Sequence, residues 1–240
     1  MLDTTAILGI ILLAAFLQGL TGFGFALIAL PLLGFFIDIK VSVPLMLLLA
    51  TIISLYLSFR LRKSINLKST YILMIATLPG IPLGTYALKH FSTQWLSVGI
   101  GVLMVVFTSY MLLLKPRQRE LGTVVTSLAG FLCGALGSSI GAGGPPVIIY
   151  TTLQPWNKDR AKGTLAFYFS FAGLVTIASH AFTGMITGEV LHLYAMSLPS
   201  LVTGIWLGTT AYKHLSDHGY RKLAFVLVFL LGCMMLWRNL

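Results

Sequence analysis

Of the chain's 240 residues, 57% are hydrophobic and only 9% charged, and the formal net charge is +10. A mean hydropathy of +0.93 lies far above that of soluble proteins and leaves no room for a soluble domain, so residues 1–240 are read as a single membrane domain. The basic excess does not point to nucleic acid, because the cations stand at the ends of apolar segments and no soluble fold is left to carry a basic patch.

The predicted elements, in chain order, are apolar segments over roughly 5–37, 41–59, 70–88, 95–114, 124–153, 164–185, 191–212 and 223–237. Six are close to the ~20 residues that cross about 30 Å of hydrocarbon. The first would reach roughly 50 Å as one straight helix, too long for one crossing and too short for two. It is expected to break at 19–24, in Gln18-Gly19-Leu20-Thr21-Gly22-Phe23-Gly24-Phe25. The fifth is expected to break in the same way at 137–146, in Gly137-Ser138-Ser139-Ile140-Gly141-Ala142-Gly143-Gly144-Pro145-Pro146. Glycine exposes backbone and proline removes donors, and in lipid such a break is tolerated only where protein or a water-filled cavity covers the freed groups. Asp3 stands where a signal peptide would be basic and no small-residue cleavage site follows, so the first segment is expected to be retained.

The two halves echo each other. Gly80, Gly84, Thr85, Ala87, Lys89, His90 and Ser92 recur 124 positions later as Gly204, Gly208, Thr209, Ala211, Lys213, His214 and Ser216, and Gly22 and Gly24 match Gly141 and Gly143 at an offset of 119. The fold class expected is therefore an all-α polytopic membrane protein with eight hydrophobic segments in two four-segment repeats, 4–115 and 122–240. Charge sets the orientation. Eight full crossings would divide the 16 lysines and arginines evenly, whereas re-entrant hairpins at segments one and five gather 13 on one face and leave Lys40, Lys89 and Arg238 on the other. The hairpins also invert the second repeat relative to the first, as in many secondary transporters. Basic loops are then expected in the cytoplasm and both termini outside.

Second half-helices are expected to start near Phe25 and at Pro145-Pro146, and their orphan N–H groups and partial positive charge suit an anion without any buried cation. Gln18, Thr21, Ser138 and Ser139 add donors beside the breaks. All six acidic residues (Asp3, Asp38, Glu120, Asp159, Glu189, Asp217) fall at segment ends, so no carboxylate is expected deep in the membrane to relay protons or hold sodium. Export needs no coupling ion, because each negative charge leaving a cell with a negative interior gains about 2.3 kcal/mol per 100 mV. His180 is expected as an interfacial or packing histidine, with His90 and His214 as interface anchors. Arg160 and Lys162 are expected to set topology, or else to attract cytoplasmic anions. Phe167, Tyr168, Phe169 and Phe171 are expected to pack, with the Tyr168 hydroxyl free to turn toward the site. Cys133 and Cys233, both inside apolar segments, are expected as ordinary buried thiols with no disulfide and no metal.

Gln18 to Phe25 with Pro31 behind it, Gly137 to Pro146, and the following Lys162-Gly163-Thr164 resemble the paired signatures of the TauE/SafE sulfite exporter family over essentially the whole chain. The resemblance implies a bacterial inner-membrane permease for sulfite, sulfonates or related small sulfur-containing anions, often exporting them. It places the substrate site on Gln18, Thr21, Gly22 and Gly24 with Ser138, Ser139, Gly141, Gly143 and Gly144. The first break carries Gly-Phe-Gly-Phe where many relatives have a denser glycine run, so its backbone approaches substrate less closely. The partners expected are the lipid bilayer and a small anion, with no cofactor; a homo-oligomer is compatible with the chain. Three alternatives are ion-coupled uptake of an organic anion, a membrane assembly factor, and an intramembrane hydrolase using Ser139 of the Gly-x-Ser-x-Gly pattern with His180 as base.

Overall fold

The computed structural model describes residues 2–21, 24–113, 118–211 and 217–239, without the side chains of 2, 3, 21 and 217–224. Within these residues the chain is all-helical. The helices are α1 (Leu2–Thr21), α2 (Phe25–Leu33), α3 (Ile39–Arg60), α4 (Leu67–His90), α5 (Thr93–Leu113), α6 (Thr123–Ile140), α7 (Gly144–Leu153), α8 (Lys158–Phe182), α9 (Gly188–Ala211) and α10 (Asp217–Asn239), with a 3-10 turn at Arg62–Ser64. Six of them, α3 to α6 with α8 and α9, are long and apolar enough to cross a membrane, and α1 and α10 contain shorter apolar stretches. The protein is a multi-pass membrane protein.

Local chemistry sets the helix ends. Asp38, Asn66 and Asn157 cap α3, α4 and α8 through side chains that accept from the N–H groups of Lys40, Ser69 and Arg160. The Asn157 cap starts α8 six residues before the apolar run that predicts it, because a polar first turn costs nothing where the helix leaves the hydrocarbon. Both long segments break, but over fewer residues than their composition predicts. Gly19 and Gly137 remain helical, α1 runs on to Thr21 and α6 to Ile140, and α7 begins at Gly144, one residue before the proline pair. Helical glycine is tolerated at these points because a neighbouring helix takes the space: a Cβ on Gly19 would lie 3.0 Å from Thr209 N.

The principal packings pair α4 with α6, α1 with α9, α5 with α10 and α3 with α8. One end of the bundle is tied by cations on carbonyls: Lys40 Nζ donates to Lys89 O at 3.2 Å, Lys89 Nζ to Thr183 O at 3.2 Å, and Arg238 to Gly34 O at 3.0 Å. At the opposite end Asn66 N–H donates to Thr164 Oγ1 at 3.0 Å, and Arg119 N–H donates to Leu153 O at 2.8 Å, joining the chain before α6 to the end of α7. Lys115, Arg117 and Lys213 lie outside the described residues, as does His214.

Candidate functional site

The two breaks face one cavity. Its walls take Gln18, Gly24 and Phe25 from the first break, Gly137 and Gly141 to Gly144 from the second, Thr51 and Ser54 from α3, and Gly173 and Thr176 from α8. The space between these walls, counted with the open solvent at its mouth, is about 830 Å³. None of the described residues that line it is Asp, Glu, Lys, Arg or His.

Each break is made by a glycine in the left-handed region, Gly24 at φ 98° and Gly141 at φ 66°, which side chains with a Cβ rarely adopt. The helix that follows starts at the cavity, so its first N–H groups and the positive end of its dipole meet there. The two starts differ chemically. At α2, Gln18 Oε1 accepts the Phe25 N–H at 3.1 Å, and the N–H groups of Ala26 and Leu27, two further cavity residues, belong to the same first turn. At α7 the first turn is Gly144-Pro145-Pro146, so two of its donors are missing and Gly143 and Gly144 supply the N–H groups. The first break thus brings donors, and the second mostly brings room.

Side chains complete the lining. Gln18 is 6% exposed, and with Oε1 on Phe25 its amide N–H groups are left for the cavity. Thr51 and Thr176 donate to Leu47 O and Ala172 O of their own helices, both at 2.7 Å. Ser54, 4% exposed, is the lining hydroxyl without such a bond. Sequence reasoning missed Thr51, Ser54, Gly173 and Thr176, although Thr51, Ser54 and Ser58 at spacings of three and four mark one helix face in an otherwise apolar span.

The serines beside the second break lie elsewhere. Ser138 is fully buried and its hydroxyl donates to Gly134 O at 2.7 Å, with Ile81 O at 2.9 Å; Ser139 Oγ donates to Ala135 O at 2.7 Å. Both bonds fasten α6, and neither residue lines the cavity. Thr21 has no described side chain, and Gly22 lies outside the described residues. Pro145 is buried and Pro146 half-buried in the first turn of α7. Arg160 is exposed with its guanidinium 5.9 Å from the Trp156 ring, and Lys162 is half-buried in the second turn of α8; neither lines the cavity. Tyr168 turns away from the cavity, its hydroxyl 2.6 Å from Thr77 Oγ1, while Phe169 lines it. Cys133 is buried at the cavity wall, and Cys233 is exposed, contrary to the buried thiol expected. His180 packs inside the protein: it is fully buried, with Nε2 3.0 Å from the backbone oxygen of Ser138. A serine hydrolase needs a hydroxyl bonded to its base, and here the histidine meets a carbonyl while Ser139 bonds its own helix.

The family described as sulfite exporter TauE/SafE matches residues 7–235. The chain is similar to the probable membrane transporter protein YunE of Bacillus subtilis (strain 168), at 25% identity over 233 residues covering 85% of this chain and 82% of that one. No solved structure matches it.

Proposed function

Because the chain belongs to the TauE/SafE sulfite exporter family, we propose that it is a secondary transporter exporting a small sulfur-containing anion, sulfite or an organosulfonate, through the cavity between its two helix breaks. The observation that carries this is the convergence of both breaks on one cavity with no charged side chain among its described lining residues. An oxyanion there meets N–H groups of Ala26, Leu27, Gly143 and Gly144, the Gln18 amide and the Ser54 hydroxyl. No lysine or arginine binds it tightly enough to hold it. Both breaks come from a single chain, so a homo-oligomer is not needed to build the site.

The halves 4–115 and 122–240 act as inverted repeats. What supports this is a matched set of close approaches. A Cβ on Gly80 would strike Phe131 O and Ala135 N of α6, and one on Gly204 would strike Leu12 O and Phe16 N of α1. Gly84 meets Ala135 and Ser138 where Gly208 meets Phe16 and Gly19. Every pair maps onto its counterpart by the offsets 124 and 119 of the sequence repeat. The α6–α7 pair is a re-entrant hairpin, supported by the Arg119–Leu153 bond that brings its two ends together. The α1–α2 pair is its counterpart. With Arg60, Arg62, Lys63, Lys68, Arg119, Lys158, Arg160 and Lys162 at one end and Lys40, Lys89 and Arg238 at the other, the first end is cytoplasmic in a bacterial inner membrane and the termini are periplasmic.

Flux of sulfite, sulfate and ethanesulfonate in proteoliposomes, with the membrane potential clamped to each sign and no proton or sodium gradient, tests the function. Potential-driven movement of sulfite or ethanesulfonate is expected. Flux that appears only with an ion gradient would replace uncoupled export with coupled uptake.

A further inference from the structure

A buried histidine lies beside the second break and has no part in the cavity lining. His180, in the last turn of α8, is fully buried, and its Nε2 meets the Ser138 backbone oxygen at 3.0 Å. A carbonyl can only accept, so Nε2 carries the ring proton and Nδ1 is left as an acceptor. Nδ1 is buried with no hydrogen-bond partner among the described residues. A buried acceptor in that condition is destabilising, and the position is not an incidental one. Ser138 lies three residues before the left-handed Gly141 that ends α6, and Thr176, one helical turn before His180 on α8, lines the cavity.

We propose that His180 is a proton-binding site through which pH controls the transport cycle. A proton arriving from water adds to the Nδ1 lone pair and gives an imidazolium with two N–H donors; on its return to water the neutral ring is restored. In the structure described here the Nε2–H stays on Ser138 O, whereas the new Nδ1–H and its charge have no acceptor. Protonation therefore disfavours this arrangement of α8 against the end of α6. It favours one in which Nδ1–H reaches an acceptor, and an anion in the cavity one turn away is such an acceptor. Proton and anion thus reinforce each other, and flux rises as pH falls.

The groups able to compete are few. On α4, Lys89 is directed to Thr183 O, and His90 is exposed with Nδ1 on Tyr86 O. On α3, Lys40 is directed to Lys89 O, and the Asp38 carboxylate accepts from the Lys40 N–H and Thr93 Oγ1. Glu189 and His192 at the start of α9 are exposed, and the described part of α6 has no charged side chain. The position corresponding to Ser138 in the first repeat is Gly19, which packs against the backbone of Gly208 and Thr209.

This proposal uses the transport function above for one of its two readouts. Ethanesulfonate, whose charge is constant over the range, is driven by a fixed potential through wild type and His180→Gln, which keeps an N–H donor for Ser138 O but cannot bind a proton. At about pH 5.5 and about pH 7.5, on either side of the ordinary histidine range, wild-type flux is expected to differ by roughly fivefold or more, higher at low pH. His180→Gln is expected to carry flux with no such dependence. An equal pH dependence in both proteins overturns the proposal. If neither protein moves any anion, the transport function fails, and backbone hydrogen exchange at residues 137–144 decides this proposal separately. Wild type, but not His180→Gln or His180→Asn, should open there faster at the lower pH after correction for intrinsic exchange; identical profiles overturn it.

Discussion

Gln18 Oε1 accepts the backbone N–H of Phe25 at 3.1 Å, across the break between α1 and α2. One side chain from the last turn of α1 therefore satisfies the first N–H of α2 and presents its remaining donors to the cavity. Gln18→Glu keeps the acceptor for Phe25, and the start of α2 favours a carboxylate. The new charge, however, faces any anion in the cavity. Thermal stability in detergent is expected to stay within a few degrees of wild type while anion flux at neutral pH falls about tenfold or more, the size of a ~1.4 kcal/mol repulsion. Unchanged flux would remove Gln18 from the substrate path.

Ser54 isolates a single hydroxyl. It lines the cavity at 4% exposure and fastens nothing else, unlike Ser138 and Ser139, whose hydroxyls hold α6 together. Ser54→Ala is expected to raise the half-saturating anion concentration about two- to tenfold, equivalent to one hydrogen bond of ~0.5–1.5 kcal/mol, with little change in melting temperature. Ser139→Ala is expected to leave that concentration unchanged. Concentration dependence of flux for the two variants in parallel checks both statements.

How much of this was legible in the sequence follows from what each signal measures. The breaks were legible because glycine and proline act on the backbone wherever the chain goes, and the closest helix approaches because they demand glycine, at Gly80, Gly84, Gly204 and Gly208. Which hydroxyls face the cavity was not. Serine and threonine inside a helix can bond the carbonyl four residues back, so a polar residue next to a break need not point into it. Ser138 and Ser139 do bond backward, and Ser54, distant in sequence from either break, reaches the cavity because α3 crosses α8 there. The burial of His180 was likewise set by a neighbour, the end of α6, which its own helix does not reveal.

The glycines at the second break divide into structural and permissive ones. A Cβ on Gly143 would lie 2.5 Å from Cys133 O and 2.7 Å from the Gly137 Cα, both fixed backbone, whereas one on Gly144 meets only the tip of Ile148 at 3.2 Å. Gly143→Ala is expected to lower stability by roughly 1–3 kcal/mol through overpacking, seen as an earlier thermal transition and reduced yield. Gly144→Ala is expected to fold normally and, by narrowing the cavity, to slow ethanesulfonate more than sulfite. Equal loss of both anions in a normally folded Gly144→Ala protein would indicate that Gly144 does not bound the substrate.

The α6–α7 pair supplies the sharpest test of topology, because a hairpin and a full crossing place its two ends on opposite assignments. Arg119, before α6, and Leu153, at the end of α7, share a hydrogen bond of 2.8 Å, so in the proposed hairpin the flanking exposed positions Glu120 and Asp159 emerge together. Exposed Lys63 belongs to the same end, since the backbone N–H of nearby Asn66 donates to Thr164 of α8. Exposed Glu189, after the Thr183 carbonyl that holds Lys89, belongs to the other. With Cys133 and Cys233 replaced by serine, single cysteines at 63, 120, 159 and 189 can be labelled in intact cells with a membrane-impermeant maleimide. Only Glu189→Cys is expected to react from outside, and the other three only after the cells are opened. Labelling of Glu120→Cys and Asp159→Cys from opposite sides would mean that segment five crosses fully. The basic residues would then divide evenly between the two faces, and the positive-inside rule would no longer orient the protein.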